Sequence, residues 1–137
     1  MKRYTSFIKR DIYYSDWDSL NNEWSKAKLL NEINTPGNEA CPFIEADNLT
    51  LIFSSDSYSP NYGGLDLYIT RYDPQTQLWS KPENLGKPIN TKYDDMFATM
   101  PESGDVIYFS SDRKDIQGSQ GGYDLYIAIL PKSIFAK

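Results

Sequence analysis

The sequence predicts an all-β fold made of β-propeller blades, which are four-stranded antiparallel sheets set side by side. Three observations predict it. Short phrases recur in one order about every 56 residues, and self-similarity at such a period is typical of repeat architectures. Aromatic residues, which favour strands, make up 15% of the chain. No sustained apolar stripe of helical period is present. We therefore expect one domain over residues 1–137, holding about two to three blades.

The repeat is carried by five kinds of phrase. They are DIYY, DLYI and DLYI at 11–14, 66–69 and 124–127, WSK at 24–26 and 79–81, INT at 33–35 and 89–91, FSSD at 53–56 and 109–112, and GG at 63–64 and 121–122. The spacings lie between 55 and 58 residues, and the drift falls in loop-like segments, where insertions are tolerated. The repeats therefore cover about 11–65 and 66–123, and a third begins at 124.

Each repeat is expected to contain four strands, named a to d in chain order. Strand a is expected at 40–45 and 97–101, strand b at 50–54 and 106–110, strand c at 11–17, 66–72 and 124–130, and strand d at 23–25 and 78–80. Strand b is apolar at consecutive positions, which predicts that both of its faces are covered. Trp24 and Trp79 are interpreted as core residues of strand d, and Cys41 as a small buried residue beside strand a.

Three blades are fewer than the roughly four to eight of a closed propeller. The first blade would gain a strand if residues 4–8 formed one, and the last if residues 133–136 did. An open arc would expose apolar blade faces. We therefore expect a partial propeller, and two origins stay open: excision from a longer protein, or closure of the ring by association of identical copies.

Composition excludes several functions. The chain has no histidine and one cysteine, which removes His-dependent catalysis, His metal sites and an internal disulfide. Its net charge is −5 and no basic stripe occurs, so nucleic-acid binding is not expected. No apolar run is long enough for membrane insertion, and the chain as written has no signal peptide. No cofactor is expected.

The ordered motifs resemble the TolB-type, WD-repeat-like β-propeller family. The resemblance lies in LIFSSD…GGLDLYIT at 51–70, WSKPENLGKPINTKYDD at 79–95 and VIYFSSDR…GGYDLYIA at 106–128. The family's usual Pro-Asp-Gly turn between strands a and b is altered to Ala46-Asp47-Asn48 and Glu102-Ser103-Gly104. The resemblance implies a bacterial scaffold of the periplasm or cell envelope that binds other proteins and has no catalytic residue.

The long loops of the predicted blades lie at one end. They join b to c (56–65 and 112–123) and d to a (31–38 and 86–94), and loops on a rigid scaffold often carry binding. The predicted interaction face comprises Asn34, Asp56, Tyr58, Tyr62, Asn90, Tyr93, Asp94, Asp112 and Tyr123. Exposed tyrosines suit protein partners or stacking on sugars. The alternatives are that the loops are tolerated insertions and that the tyrosines fold back over the blade edge.

Two further hypotheses concern the acidic residues. Asp56, Asp66, Asp112, Asp115 and Asp124 would offer oxygen ligands for calcium, whereas the alternative is that Asp66 and Asp124 accept backbone N–H bonds at a strand start. Glu39, Asp94 and Asp95 head strand a, where paired acids would suit glycoside hydrolysis. The alternative is that they are solvated and bond the Asn-Thr loop. A protein-binding scaffold is the first prediction, and a carbohydrate-binding or glycan-processing propeller is the second.

Overall fold

The computed structural model describes residues 9–131 and 134. Over these residues the chain is all-β and contains no α-helix, as predicted. The strands are β1 Tyr13–Tyr14, β2 Trp17–Asp18, β3 Glu23–Trp24, β4 Lys28–Leu29, β5 Glu39–Ile44, β6 Thr50–Ser55, β7 Asp66–Asp73, β8 Leu78–Trp79, β9 Glu83–Asn84, β10 Asp95–Thr99, β11 Val106–Ser111 and β12 Asp124–Ile129.

The strands form antiparallel sheets, none of which closes on itself. The central sheet has the order β5-β6-β7-β8, with β9 also paired to β7, and the C-terminal sheet has the order β10-β11-β12. In the first repeat β1 pairs with β4 and β2 with β3. The predicted order of strands a to d is therefore confirmed in the central sheet. The expected strand c at 11–17 is interrupted, and the expected strands at 4–8 and 133–136 lie outside the described residues except for Ile134.

The central and C-terminal sheets pair their strands in the same register. Phe53 lies opposite Tyr68 in the central sheet, and Phe109 lies opposite Tyr126 in the C-terminal sheet. The first strand of each sheet carries an irregularity at one equivalent place, where Cys41 and Phe97 have φ of 52° and 54°. Positive φ is uncommon for such residues, so its recurrence shows that the repeat extends to backbone conformation.

Two equivalent hydrophobic cores flank the central sheet. The first core joins the first repeat to the central sheet and contains Ile12, Leu30, Ile33, Leu51, Phe53 and Tyr68. The second core joins the central and C-terminal sheets and contains Ile52, Leu67, Ile69, Leu85, Ile89, Ala98, Met100, Ile107, Phe109 and Leu130. Leu51 and Phe53 face one core and Ile52 faces the other, which confirms that both faces of strand b are covered in this sheet.

The three residues predicted to lie in the core are all less buried than expected. Trp24 is 65% exposed and makes an edge contact with Trp17, with ring centroids 5.2 Å apart. The prediction for Trp24 is wrong because no sheet among the described residues covers that face of the first repeat. Its equivalent, Trp79, is half-buried against the first core. Cys41 is also only half-buried, since the irregularity turns strand a at that point.

Candidate functional site

The long loops of successive repeats meet at one edge of the sheets. The Asp95 N–H donates to the Leu65 carbonyl at 2.6 Å, and the Glu39 N–H donates to the Arg10 carbonyl at 2.9 Å. Each of these bonds ties the start of a strand a to the residue just before strand c of the preceding sheet or of the first repeat. The d–a linker at 86–94 therefore lies beside the b–c loop at 56–65 of the central sheet, as the strand connectivity predicts.

Two asparagines of the predicted interaction face hold backbone in place. Asn90 accepts from the Leu67 N–H and donates to the Leu67 carbonyl, both at 2.8 Å. Asn34 makes the same pair of bonds with Ile12, at 2.7 and 2.9 Å. We call this pair of bonds the asparagine clamp. Asn90 is completely buried, so its side chain lies beneath the surface and offers nothing to a partner.

Two aspartates of the same predicted face cap the start of strand a. Asp56 accepts from the Asn38 N–H at 2.9 Å, and Asp112 accepts from the Asp94 N–H at 2.9 Å. Burial acts to raise the pKa of Asp56, but its hydrogen bonds from Asn38 and Ser57 outweigh burial and lower that pKa below its ordinary value. Asp94 in turn accepts from the Leu65 N–H at 2.9 Å. These carboxylates are already engaged in holding the loops together.

The acids that head strand a are buried. Glu39 accepts from the Thr35 hydroxyl at 2.7 Å and the Ser55 hydroxyl at 2.8 Å, and Asp95 accepts from the Thr91 hydroxyl at 3.0 Å. Bonding to the Asn-Thr loop is thus confirmed. Their expected solvation is wrong, since Glu39 and Asp95 are 1% and 0% exposed. Each carboxylate is enclosed within its own linker and is not accessible from the solvent.

Sequence reasoning missed a buried ion pair beside this acid. Arg113 Nη2 lies 2.7 Å from Asp95 Oδ1, with both side chains nearly fully buried. The guanidinium also donates to the Ile89 carbonyl at 2.6 Å and lies 4.5 Å from the centroid of the Tyr126 ring. The available signal was that Arg113 directly follows the FSSD phrase, where the preceding repeat has Ser57.

Tyr58 folds back over the edge of the central sheet, as the structural alternative proposed. Its hydroxyl donates to the Ile33 carbonyl, and its ring lies 5.4 Å from Tyr68 and 5.8 Å from Phe53 between centroids. Burial, followed by the charge of Glu39, raises the pKa of Tyr58 to about 12. Tyr58 therefore extends the first core and is not a free contact residue.

The other three tyrosines of the predicted face are exposed to different degrees. Tyr62 and Tyr123 are 39% and 49% exposed, and Tyr93 is half-buried. The Tyr123 hydroxyl lies 3.3 Å from Asp94 Oδ2. Burial and then the charges of Asp94 and Asp112 raise the pKa of Tyr123. We call Tyr62, Tyr93 and Tyr123 the tyrosine edge.

Two lysines and one glycine lie next to the tyrosine edge. Lys87 lies 5.3 Å from the Tyr62 ring centroid, and Lys92 lies 5.2 Å from the Tyr93 ring centroid. Gly64 has φ +57° and comes so close that a Cβ there would meet the Tyr93 carbonyl at 3.1 Å. Only glycine fits this position without strain, so the b–c loop of one repeat lies directly on the linker to the next.

The b–c loop acids do not converge on one point. Asp66 accepts from the Tyr62 N–H at 2.7 Å, which confirms the structural alternative for that residue. Asp66 Oδ1 and Asp124 Oδ2 are buried and have no hydrogen-bond partner among the described residues. Within residues 9–131 and 134, no three Cys, His, Asp or Glu side chains are grouped so as to hold a metal ion.

Comparisons with protein-family models, with curated proteins and with solved structures give no match. In the described part of the chain, no helix has the length and apolar character needed to cross a membrane.

Proposed function

We propose that this chain is part of a TolB-like β-propeller that acts as a non-catalytic scaffold for protein–protein interaction. The observation that supports the proposal most directly is the repeated framework at the loop edge. Asn34 and Asn90 make the same clamp, and Asp56 and Asp112 make the same cap. The polar side chains of this framework hold the loops in place, so the remaining exposed side chains are held rigidly. Preorganisation of this kind favours binding.

The tyrosine edge is the proposed contact surface. Tyrosine and other aromatic residues are enriched in protein interfaces because a large ring and a polar hydroxyl serve both contact and hydrogen bonding. Tyr62 and Tyr123 are well exposed, and the nearby Lys87 and Lys92 supply positive charge. The Asp94 carboxylate beside Tyr123 supplies negative charge, so a protein partner with an apolar patch and charges of both signs suits this surface. The proposed compartment is the periplasm or cell envelope, by the family resemblance alone.

A carbohydrate ligand is the second candidate. The exposed rings of Tyr62 and Tyr123 would also stack on sugar faces, for which an apolar ring with a polar tip is suited. We propose sugar binding here and not glycan processing, for the following reason. Glu39 and Asp95, the acids considered for glycan processing, are buried and bonded inside the fold.

The test compares partner capture by matched variants. A triple variant with Tyr62→Ala, Tyr93→Ala and Tyr123→Ala removes the tyrosine edge. The control variant carries Gln75→Ala and Glu102→Ala, which are exposed residues in turns at the opposite edge. We expect cross-linking in extracts of the source organism to recover one protein with the native chain and with the control, but not with the triple variant.

A glycan array separates the two candidates. Binding of a defined glycan by the native chain that is lost in the triple variant would support the carbohydrate candidate instead. Equal capture of the protein partner by the native chain and the folded triple variant would contradict the tyrosine edge as the contact surface.

A further inference from the structure

The C-terminal sheet has one apolar face that nothing in the described part of the chain covers. Leu125, Ile127 and Ile129 of β12 are 74%, 61% and 83% exposed. Tyr108 of β11 is also exposed, at 37%. Apolar side chains grouped on one sheet face mark a contact surface when they are contiguous. We call these four residues the outer face.

The equivalent face of the central sheet is covered by the segment that follows it in the chain. Leu67 and Ile69 of the central sheet are the counterparts of Leu125 and Ile127 in the DLYI phrase, and they are only 0% and 3% exposed. They are covered in the second core by Leu85 and other apolar residues of the next linker and sheet. The same face of the same motif is thus buried in one repeat and open in the next.

Polar groups repeat this contrast. In the central sheet the Leu67 backbone is clamped by Asn90, and the Asp66 carboxylate accepts from Asn84 Nδ2 at 2.8 Å. Within residues 9–131 and 134, no side chain clamps the backbone of Leu125. One carboxylate oxygen of each aspartate, Asp66 Oδ1 and Asp124 Oδ2, is buried without a partner, so the contrast between the sheets lies in the clamp. The position of the clamping asparagine, which the following linker fills in the central sheet, is vacant here.

The glycine pair gives a third contrast. A Cβ on Gly64 would come within 2.3 Å of the Asp94 carboxylate, which belongs to the next linker. Its counterpart, Gly122, also has positive φ, at 74°, yet has nothing within 4 Å of a Cβ. Positive φ is the conformation that glycine adopts readily. Gly122 thus has the backbone conformation required for close approach of a linker, with open space where that linker would lie.

We propose that the outer face is a docking surface for a further repeat of this chain's own sequence type, whose linker supplies one asparagine to clamp the Leu125 backbone and a second amide to reach Asp124. The occupant is defined by chemistry: a segment with the pattern of 84–100, in which an amide, two apolar residues and the clamping asparagine precede an edge strand. This surface lies on a sheet face and does not depend on the tyrosine edge, so either proposal can fail alone.

The experiment extends the native chain by one of its own repeats. A chimera is made of residues 1–130 followed by 73–137, because Tyr72 and Leu130 are equivalent in the repeat. The added linker then follows β12 as the native linker follows β7. We expect the melting temperature to rise by roughly 5 °C or more over that of the native chain, since the exposed apolar surface of β12 becomes covered. The Leu125 amide should also become protected from hydrogen exchange.

Two matched variants test the clamp and the contact. Asn90→Ala made only in the added repeat should abolish the Leu125 protection and lower the gain in melting temperature, while the native Asn90 stays in place. Gly122→Ala should cost little in the native chain and much more in the chimera, where the added linker fills the space beside it.

The outcomes separate the possible occupants. A chimera that does not unfold cooperatively, or that melts no higher than the native chain, would overturn the proposal. So would self-association of the native chain that Ile127→Lys abolishes, because the face would then bind a second copy without an added linker. Protection of Leu125 that survives Asn90→Ala in the added repeat would overturn the clamp.

Discussion

The side chain of Asn90 binds both polar groups of the Leu67 backbone, accepting from its N–H and donating to its carbonyl at 2.8 Å. In this way one side chain from the linker takes the place of a neighbouring strand at the edge of the central sheet. Asn34 does the same for Ile12. Because the same clamp recurs, each linker is held in the same position against the preceding strand c. The contribution of the clamp to stability can be tested by substitution.

Asn90→Ala should destabilise the protein by about 2–4 kcal/mol, because it leaves the buried Leu67 N–H without a partner and removes one of the two bonds to the Leu67 carbonyl and one of the two to Asn84 Oδ1. Asn34→Ala should cost less, about 1–2 kcal/mol, since Asn34 is only half-buried. The measurement is equilibrium unfolding in urea. Equal losses for the two variants would show that burial does not decide the strength of the clamp.

Arg113→Met should destabilise the protein by about 3–5 kcal/mol, because it leaves the Asp95 carboxylate buried without its cation. The double variant Arg113→Met with Asp95→Asn should recover part of that loss, since the uncompensated charge is gone. Lys114→Met, at an exposed neighbouring position, serves as the control and should change stability by less than about 0.5 kcal/mol. A double variant less stable than Arg113→Met would contradict this reasoning.

The equivalent substitutions Leu67→Ala and Leu125→Ala should differ strongly. Leu67 is fully buried in the second core, so its truncation should cost about 2–5 kcal/mol. Leu125 is 74% exposed, so its truncation should change stability by about 0.5 kcal/mol or less. Chemical denaturation of both variants measures the difference. Similar losses would mean that the outer face is already covered in the isolated chain.

Stability should fall as pH rises from about 10 to about 12, because burial first and the charge of Glu39 second raise the pKa of Tyr58 to about 12 in the folded state, while the unfolded side chain ionises near 10. Folded protein then holds the proton more tightly than unfolded protein, so the stabilisation is complete below pH 10 and is lost above it. Unfolding in urea at several pH values measures the decline.

Tyr58→Phe is the control for this pH dependence. It should make the alkaline decline shallower, while costing about 0.5–1.5 kcal/mol at neutral pH through loss of the hydrogen bond to Ile33. Some slope should remain, since burial also raises the pKa of Tyr68. An unchanged slope in Tyr58→Phe would show that another group controls the decline.

Gly64→Ala should cost at least about 2 kcal/mol, since it adds strain at positive φ and places a Cβ against Asp94 and the Tyr93 carbonyl. Gly122→Ala should cost only about 1 kcal/mol, because the strain is similar but the space is open. Thermal unfolding of the two variants compares them. A larger loss for Gly122→Ala would contradict the role given to the neighbouring linker.

Much of the fold could be predicted from the sequence, whereas the role of single polar residues could not. The positions of β6 and β7 follow from phrases that recur with their apolar neighbours. Trp24 and Trp79 are equivalent in the repeat and both are predicted to lie in the core, but Trp24 is exposed because no sheet among the described residues covers it. Asn90, Asp56 and Tyr58 lie in loop-like segments, and composition alone does not show whether such side chains bond inward or face the solvent.

The sequence by itself determined the repeat, the order of strands within it and the need of strand b for a neighbour on each face, because apolar side chains on alternating sides of a strand must be buried whatever surrounds them. Only the tertiary structure decided that Asn34 and Asn90 serve as clamps, that Glu39 and Asp95 are enclosed, and that the tyrosine edge and the outer face stay exposed. These hydrogen bonds and this burial depend on contacts between segments that are far apart in the sequence, and the local pattern of residues does not show which segments come into contact.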